Sequence, residues 1–166
     1  NISERRVARM IDENSSKGLP PFLISQEAKR GIESGFMALQ YTAAALASEN
    51  KALSHPASVD SIPTSANFED FVSMGPVAAR KAAEILRNVE HTLAIELLCA
   101  AQGIDLRGPR KLGRGTSAVY STIRRRVPTL KEDRVVHKDI EALVSLIQTQ
   151  ELVEAVRKAV SPVKHT

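Results

Sequence analysis

Residues 76–102 read PVAARKAAEILRNVEHTLAIELLCAAQ and carry the longest helical pattern of the sequence. Apolar side chains recur there every three or four residues, which is the period of one face of an α-helix. We expect a helix of roughly 25 residues, about 40 Å long at ~1.5 Å per residue, and Gly103 is well placed to end it. The second half, from Thr92 onward, is apolar almost all round, so we predict that other helices surround it.

The rest of the chain also favours helices. Residues 36–50 contain strong helix formers with apolar positions at helical spacing, and shorter patterns of this kind lie at residues 7–11, 119–127, 140–147 and 152–156. Segments rich in Gly, Pro or Ser separate these patterns at residues 14–23, 55–67 and 108–117. The composition is 43% hydrophobic but only 4% aromatic, without Trp, which suits helix-on-helix packing. The sequence predicts an all-α, long-helix bundle.

Charge and cysteine content exclude several classes of protein. The 23 Lys and Arg are nearly balanced by 19 Asp and Glu, as on an ordinary solvated surface, and we expect no nucleic-acid partner. No apolar run approaches the ~18 residues of a membrane span, and the start does not resemble a signal peptide. The single cysteine, Cys99, permits no intrachain disulfide, so we predict a reducing, cytoplasmic location. The four histidines lack paired ligand spacing, so we expect no metal.

A basic region leaves one alternative open. It lacks the interleaved aromatic residues of nucleic-acid surfaces, so we interpret it as solvated surface. The alternative is a non-enzymatic helical interaction module that binds an acidic partner there. The region comprises Arg107, Arg110, Lys111, Arg114, Arg124, Arg125 and Arg126.

The stretch at residues 58–75, SVDSIPTSANFEDFVSMG, places Glu69 and Asp70 between Phe68 and Phe71. Acidic residues near a helix start have an ordinary explanation, because the helix dipole favours negative charge there. A preceding Ser65 or Asn67 would suit a helix cap. The other interpretation is that one carboxylate faces a cavity walled by phenylalanine, where it holds a cationic or imidazole-bearing ligand or exchanges a proton. The residues alone leave both interpretations open.

Several motifs are more specific than these patterns. They are SGFM at residues 34–37, ASEN at 47–50, HPASVDSIPTS at 55–65 and EDFVSMG at 69–75, followed by AARKAAEILRNV at 78–89 and AIELLCAAQGIDLR at 94–107. In this order they resemble the C-terminal part of the aromatic amino acid lyases, and within that family the enzymes that convert L-histidine to urocanate and ammonia. The resemblance covers residues 19–107 well and extends more loosely to both ends. The chain begins at Asn1 without Met, and we expect it to be a fragment of a larger lyase subunit.

The resemblance implies the ammonia-lyase and fumarase-aspartase-like helical fold, assembled as a homotetramer. It implies a single helical domain at residues 1–166, with central-bundle helices and an active-site loop at 1–107 and peripheral helices at 108–166. The electrophile of the family, a methylidene-imidazolone, forms from an Ala-Ser-Gly tripeptide that this sequence does not contain. We therefore expect no cofactor group in this chain, no activity from the chain alone, and the N-terminal half of the same enzyme as its first partner.

The resemblance also implies the site residues. Phe36 is expected to line the substrate pocket, and Glu69 to face the substrate imidazole as the catalytic carboxylate. Phe68 is expected to contact the substrate beside it, while Asp70 serves the helix start. The family usually has glutamine and histidine where this chain has Phe68 and Phe71, so a drier wall leaves a second possibility. That possibility is a lyase or aminomutase of the same family that acts on another aromatic amino acid.

Overall fold

The computed structural model describes residues 1–25, 31–108 and 111–161. Within those residues it contains six α-helices and two short 3₁₀ turns, Pro21–Leu23 and Ala57–Val59, and its β-pairing is a single isolated bridge between Thr64 and Glu69. The helices are α1 (Ile2–Ile11), α2 (Met37–Leu53), α3 (Gly75–Leu106), α4 (Arg114–Arg126), α5 (His137–Gln148) and α6 (Glu151–Val160). The all-α prediction is confirmed.

Helix α3 is the centre of the architecture. Helices α1, α2 and α5 pack against it, and α4 packs mainly against α6. The C-terminal half of α3 is buried, with Ile95, Leu98 and Cys99 in a single hydrophobic core that also contains residues of the other five helices. The prediction that this half is surrounded by other helices is confirmed. The N-terminal half of α3 is mostly exposed, and Leu86 is 59% exposed.

The end of α3 differs from its prediction. Gly103 does not end the helix but lies inside it, buried against Leu19, whose Cδ1 would be 3.3 Å from a Cβ added at Gly103. The glycine therefore allows the segment before α2 to approach the helix closely. Helix α3 continues to Leu106, and the left-handed residue that follows the Arg107 cap is Gly108, at φ 74°.

The start of α3 differs as well. The helix begins at Gly75 with Met74 as its N-cap, no side-chain cap and no acidic residue in its first turn. Ser65 and Asn67 therefore do not cap it, and Asp70 lies too early in the chain to stabilise its start, so both predictions were wrong. At the other end of the chain, α4 begins at Arg114, inside the segment predicted as a loop.

A buried amide ties the loops to α3. Gln102 is 0% exposed, and its Nε2 donates to the carbonyl oxygens of Leu130 at 2.8 Å and Leu23 at 3.4 Å. Its Oε1 accepts from the Leu130 N–H at 3.0 Å. One side chain thus satisfies backbone groups of two loops that enter the core, which explains how a polar residue is tolerated there.

The approach to α2 is held by two carboxylates. Asp133 accepts the N–H of Ser34 at 2.6 Å and that of Gly35 at 2.8 Å, while Glu33 accepts the N–H of Asp133 at 2.6 Å. We call this reciprocal arrangement the Asp133 clamp. Gly35 is in the left-handed region at φ 56°, and a Cβ there would lie 2.5 Å from the Phe22 carbonyl oxygen. The close approach requires glycine.

A polar cluster joins the end of α3 to α4. Asp105 accepts hydrogen bonds from Tyr120 and from Thr129, the latter at 2.7 Å, and its carboxylate lies 2.6 Å from Arg124. The hydrogen bond to Asp105, followed by burial, raises the pKa of the Tyr120 phenol. The C-terminal helices are thus attached through both polar and apolar contacts. The predicted division of the chain at residue 107 stays a prediction.

Across the described ranges, no helix has both the length and the apolar character needed to cross a lipid bilayer.

Candidate functional site

The candidate site is the turn at residues 64–69, which lies in the loop between α2 and α3. The Thr64 N–H donates to the Glu69 carbonyl at 2.9 Å, and the Glu69 N–H donates to the Thr64 carbonyl at 3.2 Å. The Phe68 N–H closes the turn by donating to the Ser65 carbonyl at 3.0 Å. Three backbone hydrogen bonds therefore fix Glu69 at the base of a narrow hairpin, which we call the Thr64–Glu69 turn.

A side-chain hydrogen bond is added to this pairing. The Thr64 hydroxyl Oγ1 donates to Glu69 Oε2 at 3.0 Å. Among the described residues, Glu69 Oε1 accepts no hydrogen bond, so one carboxylate oxygen is held and the other is available. Sequence reasoning missed Thr64, because the contact depends on the register of the turn.

The surroundings of Glu69 differ from the predicted dry pocket. Phe68 is 90% exposed, Phe71 is 84% exposed, and Glu69 itself is exposed. In this chain the phenylalanines do not shield the carboxylate, because none of its described elements covers the turn and both aromatic rings project into solvent. The predicted contacts of Glu69 and Phe68 with a substrate stay predictions. A water-excluding site at Glu69 would need surface from elsewhere.

Phe36 lies apart from this exposed turn, in the hydrophobic core. It is 1% exposed, immediately precedes α2, and donates its N–H to the Phe22 carbonyl at 2.8 Å. Its own chain covers the side chain almost completely, so this structure gives it a packing role. The predicted contact of Phe36 with a substrate stays a prediction, and no described contact brings Phe36 to Glu69.

Exposed apolar side chains lie on α3 and in the loop before it. Leu86, Val89 and Leu93, spaced three and four residues apart, are exposed on one side of α3, and we call these three residues the outer apolar face. Val77 is exposed on the other side of the helix, as are Val59 and Ile62 in the loop. A groove of about 320 Å³ lies between this loop and the start of α3, where the Lys81 ammonium donates to the His55 carbonyl. The groove is lined by His55, Pro56, Ala57, Val59, Asp60, Met74, Val77 and Lys81.

The basic region is largely engaged inside the chain. Arg107 donates to the Ser16 carbonyl at 2.8 Å, Arg124 pairs with Asp105, and Arg126 lies 3.5 Å from Glu151. Arg125 donates to the Thr122 hydroxyl at 3.0 Å. Arg110 lies outside the described residues. These internal contacts favour the solvated-surface interpretation over an acidic partner.

Other chemistries find little support in the described part of the chain. It contains no group of three or more His, Cys, Asp or Glu that could hold a metal ion. Cys99 is fully buried, and this burial, with a smaller contribution from Glu96, raises the pKa of its thiol. A thiol of this kind is an inert core group, because the reactive form is the thiolate.

A sequence model described as "Aromatic amino acid lyase" matches residues 1–125. The chain belongs to the aromatic amino acid lyase family.

Within that family, individual histidine ammonia-lyases are similar to it. The enzyme of Natranaerobius thermophilus is 54% identical over 164 residues, which are 99% of this chain and 32% of that protein. The chain therefore spans about a third of the length of the curated relatives it matches.

Solved structures agree on the fold. The chain superposes on histidine ammonia-lyase from Trypanosoma cruzi with a TM-score of 0.89 and 46% identity, covering 98% of this chain and 31% of that one. It superposes on tyrosine aminomutase from Streptomyces globisporus with a TM-score of 0.90 and 37% identity, covering 98% of this chain and 30% of that one. The predicted ammonia-lyase fold is thereby confirmed.

Proposed function

We propose that this chain is part of a histidine ammonia-lyase subunit and that it supplies Glu69 to a site where L-histidine loses ammonia to give urocanate. The observation that carries the proposal is the presentation of Glu69, a carboxylate with one oxygen fixed by Thr64 and the other available. The 54% identity to a histidine ammonia-lyase over almost the whole chain supports the choice of substrate.

A carboxylate suits the side chain of histidine. Ionised carboxylates are hydrogen-bond acceptors, and imidazole presents N–H donors. Such a charge-assisted hydrogen bond is stronger than a neutral one, and it becomes stronger again when water is excluded. Glu69 would therefore hold the imidazole, and a positioned carboxylate of this kind also serves as a general acid or base. Phe68, adjacent and exposed, would contribute apolar surface beside the ring.

The remaining chemistry requires more protein than this chain contains. In the enzymes it resembles, a methylidene-imidazolone supplies the electrophile that draws electron density from the substrate. The sequence has no Ala-Ser-Gly tripeptide, so its residues do not fit the formation of that group, and no step through it is assigned to them. The chain alone is accordingly expected to be inactive.

The outer apolar face indicates how the missing protein would attach. Large apolar side chains exposed side by side on the surface of a protein often mark an interaction site. The N-terminal part of the subunit and further copies of it would cover Leu86 and its neighbours, giving the homotetramer implied by the resemblance. Additional protein placed over the Thr64–Glu69 turn would exclude water from Glu69. The single reduced Cys99 suits a cytoplasmic enzyme.

A second candidate is a lyase or aminomutase that acts on another aromatic amino acid. Phe68 and Phe71 place apolar rings on either side of the acidic pair, and the tyrosine aminomutase likeness extends over 98% of the chain. We favour histidine because the identity to the Trypanosoma cruzi histidine ammonia-lyase is higher, 46% against 37%.

A chimera tests the proposal. The matching third of the Natranaerobius thermophilus enzyme is replaced by this chain, and urocanate formation is followed by absorbance. We expect histidine turnover by the chimera and none by the chain alone. Glu69→Gln keeps the shape and removes the charge, so turnover should fall at least ~10²-fold. Glu154→Gln, an exposed acid on α6 paired with Arg157, is the matched control and should leave turnover unchanged.

Two results would reject the proposal. One is a chimera that assembles but does not convert histidine, and the other is unchanged histidine kinetics in the Glu69→Gln chimera. Parallel assays with tyrosine and phenylalanine, including detection of β-amino acid products, decide the second candidate. Faster conversion of either amino acid than of histidine would favour it.

A further inference from the structure

We propose that Thr64 is a positioning residue for the Glu69 carboxylate. The inference rests on the proposed function of Glu69 and adds to it a residue that sets the orientation of the acid. Thr64 would act through Glu69 and would not touch the substrate.

The first support is the double connection between the two residues. Thr64 and Glu69 exchange both backbone hydrogen bonds, at 2.9 and 3.2 Å, and the Thr64 hydroxyl reaches Glu69 Oε2 at 3.0 Å. The backbone pair fixes where the Glu69 side chain begins, and the hydroxyl fixes where its carboxylate ends. The two contacts together select one orientation of a side chain that is otherwise exposed and free to change rotamer.

The second support is the backbone between them. Ser65, Ala66 and Asn67 all have positive φ, at 52°, 56° and 70°. L-residues rarely adopt this conformation, and a non-glycine residue held there tends to mark a functional constraint. Three in succession set the register of the turn, and this register brings the Thr64 hydroxyl opposite the Glu69 carboxylate.

The third support lies on the other side of Glu69. The Val72 N–H donates to the Ser61 hydroxyl oxygen at 2.9 Å, so the segment that follows Glu69 is also held by the segment before Thr64. Glu69 is therefore anchored at both ends of a loop whose aromatic side chains project into solvent. The anchoring serves the carboxylate and not the packing of the rings.

The available oxygen, Glu69 Oε1, determines where a ligand would bind to the carboxylate. Because the Thr64 hydroxyl takes one acceptor site of Oε2 and orients the carboxylate, an N–H donor of the ligand would bind preferentially at Oε1 and from one direction. A ligand held by charge alone, without a directed N–H donor, would not require the carboxylate to be oriented. Orientation matters because misplacement of a reacting or binding group by about 1 Å can cost ~10²-fold in rate.

The test uses the chimera described above with Thr64→Val, which keeps the shape of threonine and removes the hydroxyl. We expect kcat/KM for histidine to fall about tenfold, as for a lost hydrogen bond to a charged group. Thr64→Ser restores the hydroxyl and should return kcat/KM to within about threefold. Thr149→Val is the control for loss of a surface threonine hydroxyl, because Thr149 Oγ1 donates to the Ser145 carbonyl at 2.8 Å and lies 3.3 Å from the Glu151 carboxylate.

A double-mutant cycle separates positioning from structural support. If Thr64 acts through Glu69, Thr64→Val should have less than about a twofold effect in a Glu69→Gln background, because coupled residues are non-additive. The inhibition constants of urocanate and of cinnamate, which carries phenyl in place of imidazole, give a readout independent of the folded fraction. Thr64→Val should weaken inhibition by urocanate about tenfold and leave inhibition by cinnamate unchanged.

The outcomes distinguish the two proposals. A Glu69→Gln chimera with unchanged kinetics rejects the proposed function. If Glu69→Gln lowers kcat/KM and Thr64→Val does not, the positioning role of Thr64 is rejected and the proposed function is retained. Three results would overturn the positioning role: additive effects of the two substitutions, equal weakening of both inhibitors, or failure of the Thr64→Val chimera to assemble. The third counts because assembly does not need an exposed hydroxyl that only orients Glu69.

Discussion

Replacement of Gln102 by leucine tests how much of the fold depends on one buried amide. The side chain is 0% exposed and satisfies the N–H and the carbonyl of Leu130, with a longer contact to the Leu23 carbonyl. Leu130 and Leu23 are themselves buried, so water cannot easily replace the lost partner. Gln102→Leu therefore leaves at least two backbone groups unsatisfied.

The magnitude follows from those two groups. Each buried, unsatisfied group costs about 1–3 kcal/mol, and the added leucine methyl groups offset part of the sum, so we expect a loss of about 3 kcal/mol. A domain of this size has a free energy of unfolding of roughly 5–15 kcal/mol. With a urea m-value near ~2 kcal/mol/M, the unfolding midpoint should fall by about 1.5 M.

The assay is urea unfolding followed by circular dichroism at several protein concentrations. Gln148→Leu is the matched control, because Gln148 Nε2 donates to Glu90 at 2.8 Å in an exposed position. Its cost should stay within ~0.5 kcal/mol. Equal midpoints for the two variants would refute the reasoning that Gln102 supports the loops.

Two further predictions concern the approach to α2 and the outer apolar face. Gly35→Ala should lower the free energy of unfolding by more than ~2 kcal/mol, because the new Cβ meets the Phe22 carbonyl. Gly31→Ala is the control: Gly31 has φ 83° and no described atom lies within 4 Å of its added Cβ, so this substitution should cost only the strain of a left-handed backbone. Equal urea midpoints for the two variants would contradict the prediction. The chain alone should self-associate. Sedimentation should show that Leu86→Arg weakens this association at least ~10-fold, whereas Val153→Arg on α6 leaves it unchanged. A chain that stays monomeric at high concentration would contradict the prediction.

Hydrophobic periodicity was sufficient for most of the fold. The apolar spacing at residues 36–50 and 76–102 predicted α2 and α3, because a helix that buries one face needs apolar residues every three or four positions. The end of α3 could not be predicted, since a glycine in a helical pattern is typical of a cap and Gly103 is instead a packing site for Leu19. Such a contact involves a residue distant in sequence, which no local pattern reports.

The candidate site was less predictable than the fold. Glu69 was found through resemblance, but Thr64 was not, because a turn built on Ser65, Ala66 and Asn67 in the left-handed region departs from local propensity. The exposure of Phe68 was also missed. A sequence shows which residues are neighbours along the chain, whereas the covering of a side chain depends on surfaces that other segments or other chains bring.

The Asp133 clamp can form only after the ribosome has synthesised Asp133. Asp133 accepts the N–H of Gly35 from 98 positions further along the chain, so a ribosome adding ~5–20 residues per second delivers the carboxylate about 5–20 s after the amide. During that interval the amides of Ser34 and Gly35 have only water as a partner, and residues 31–36 cannot settle into their final path. We expect this segment to be sensitive to proteolysis in nascent chains that end before Asp133 and protected once the clamp closes.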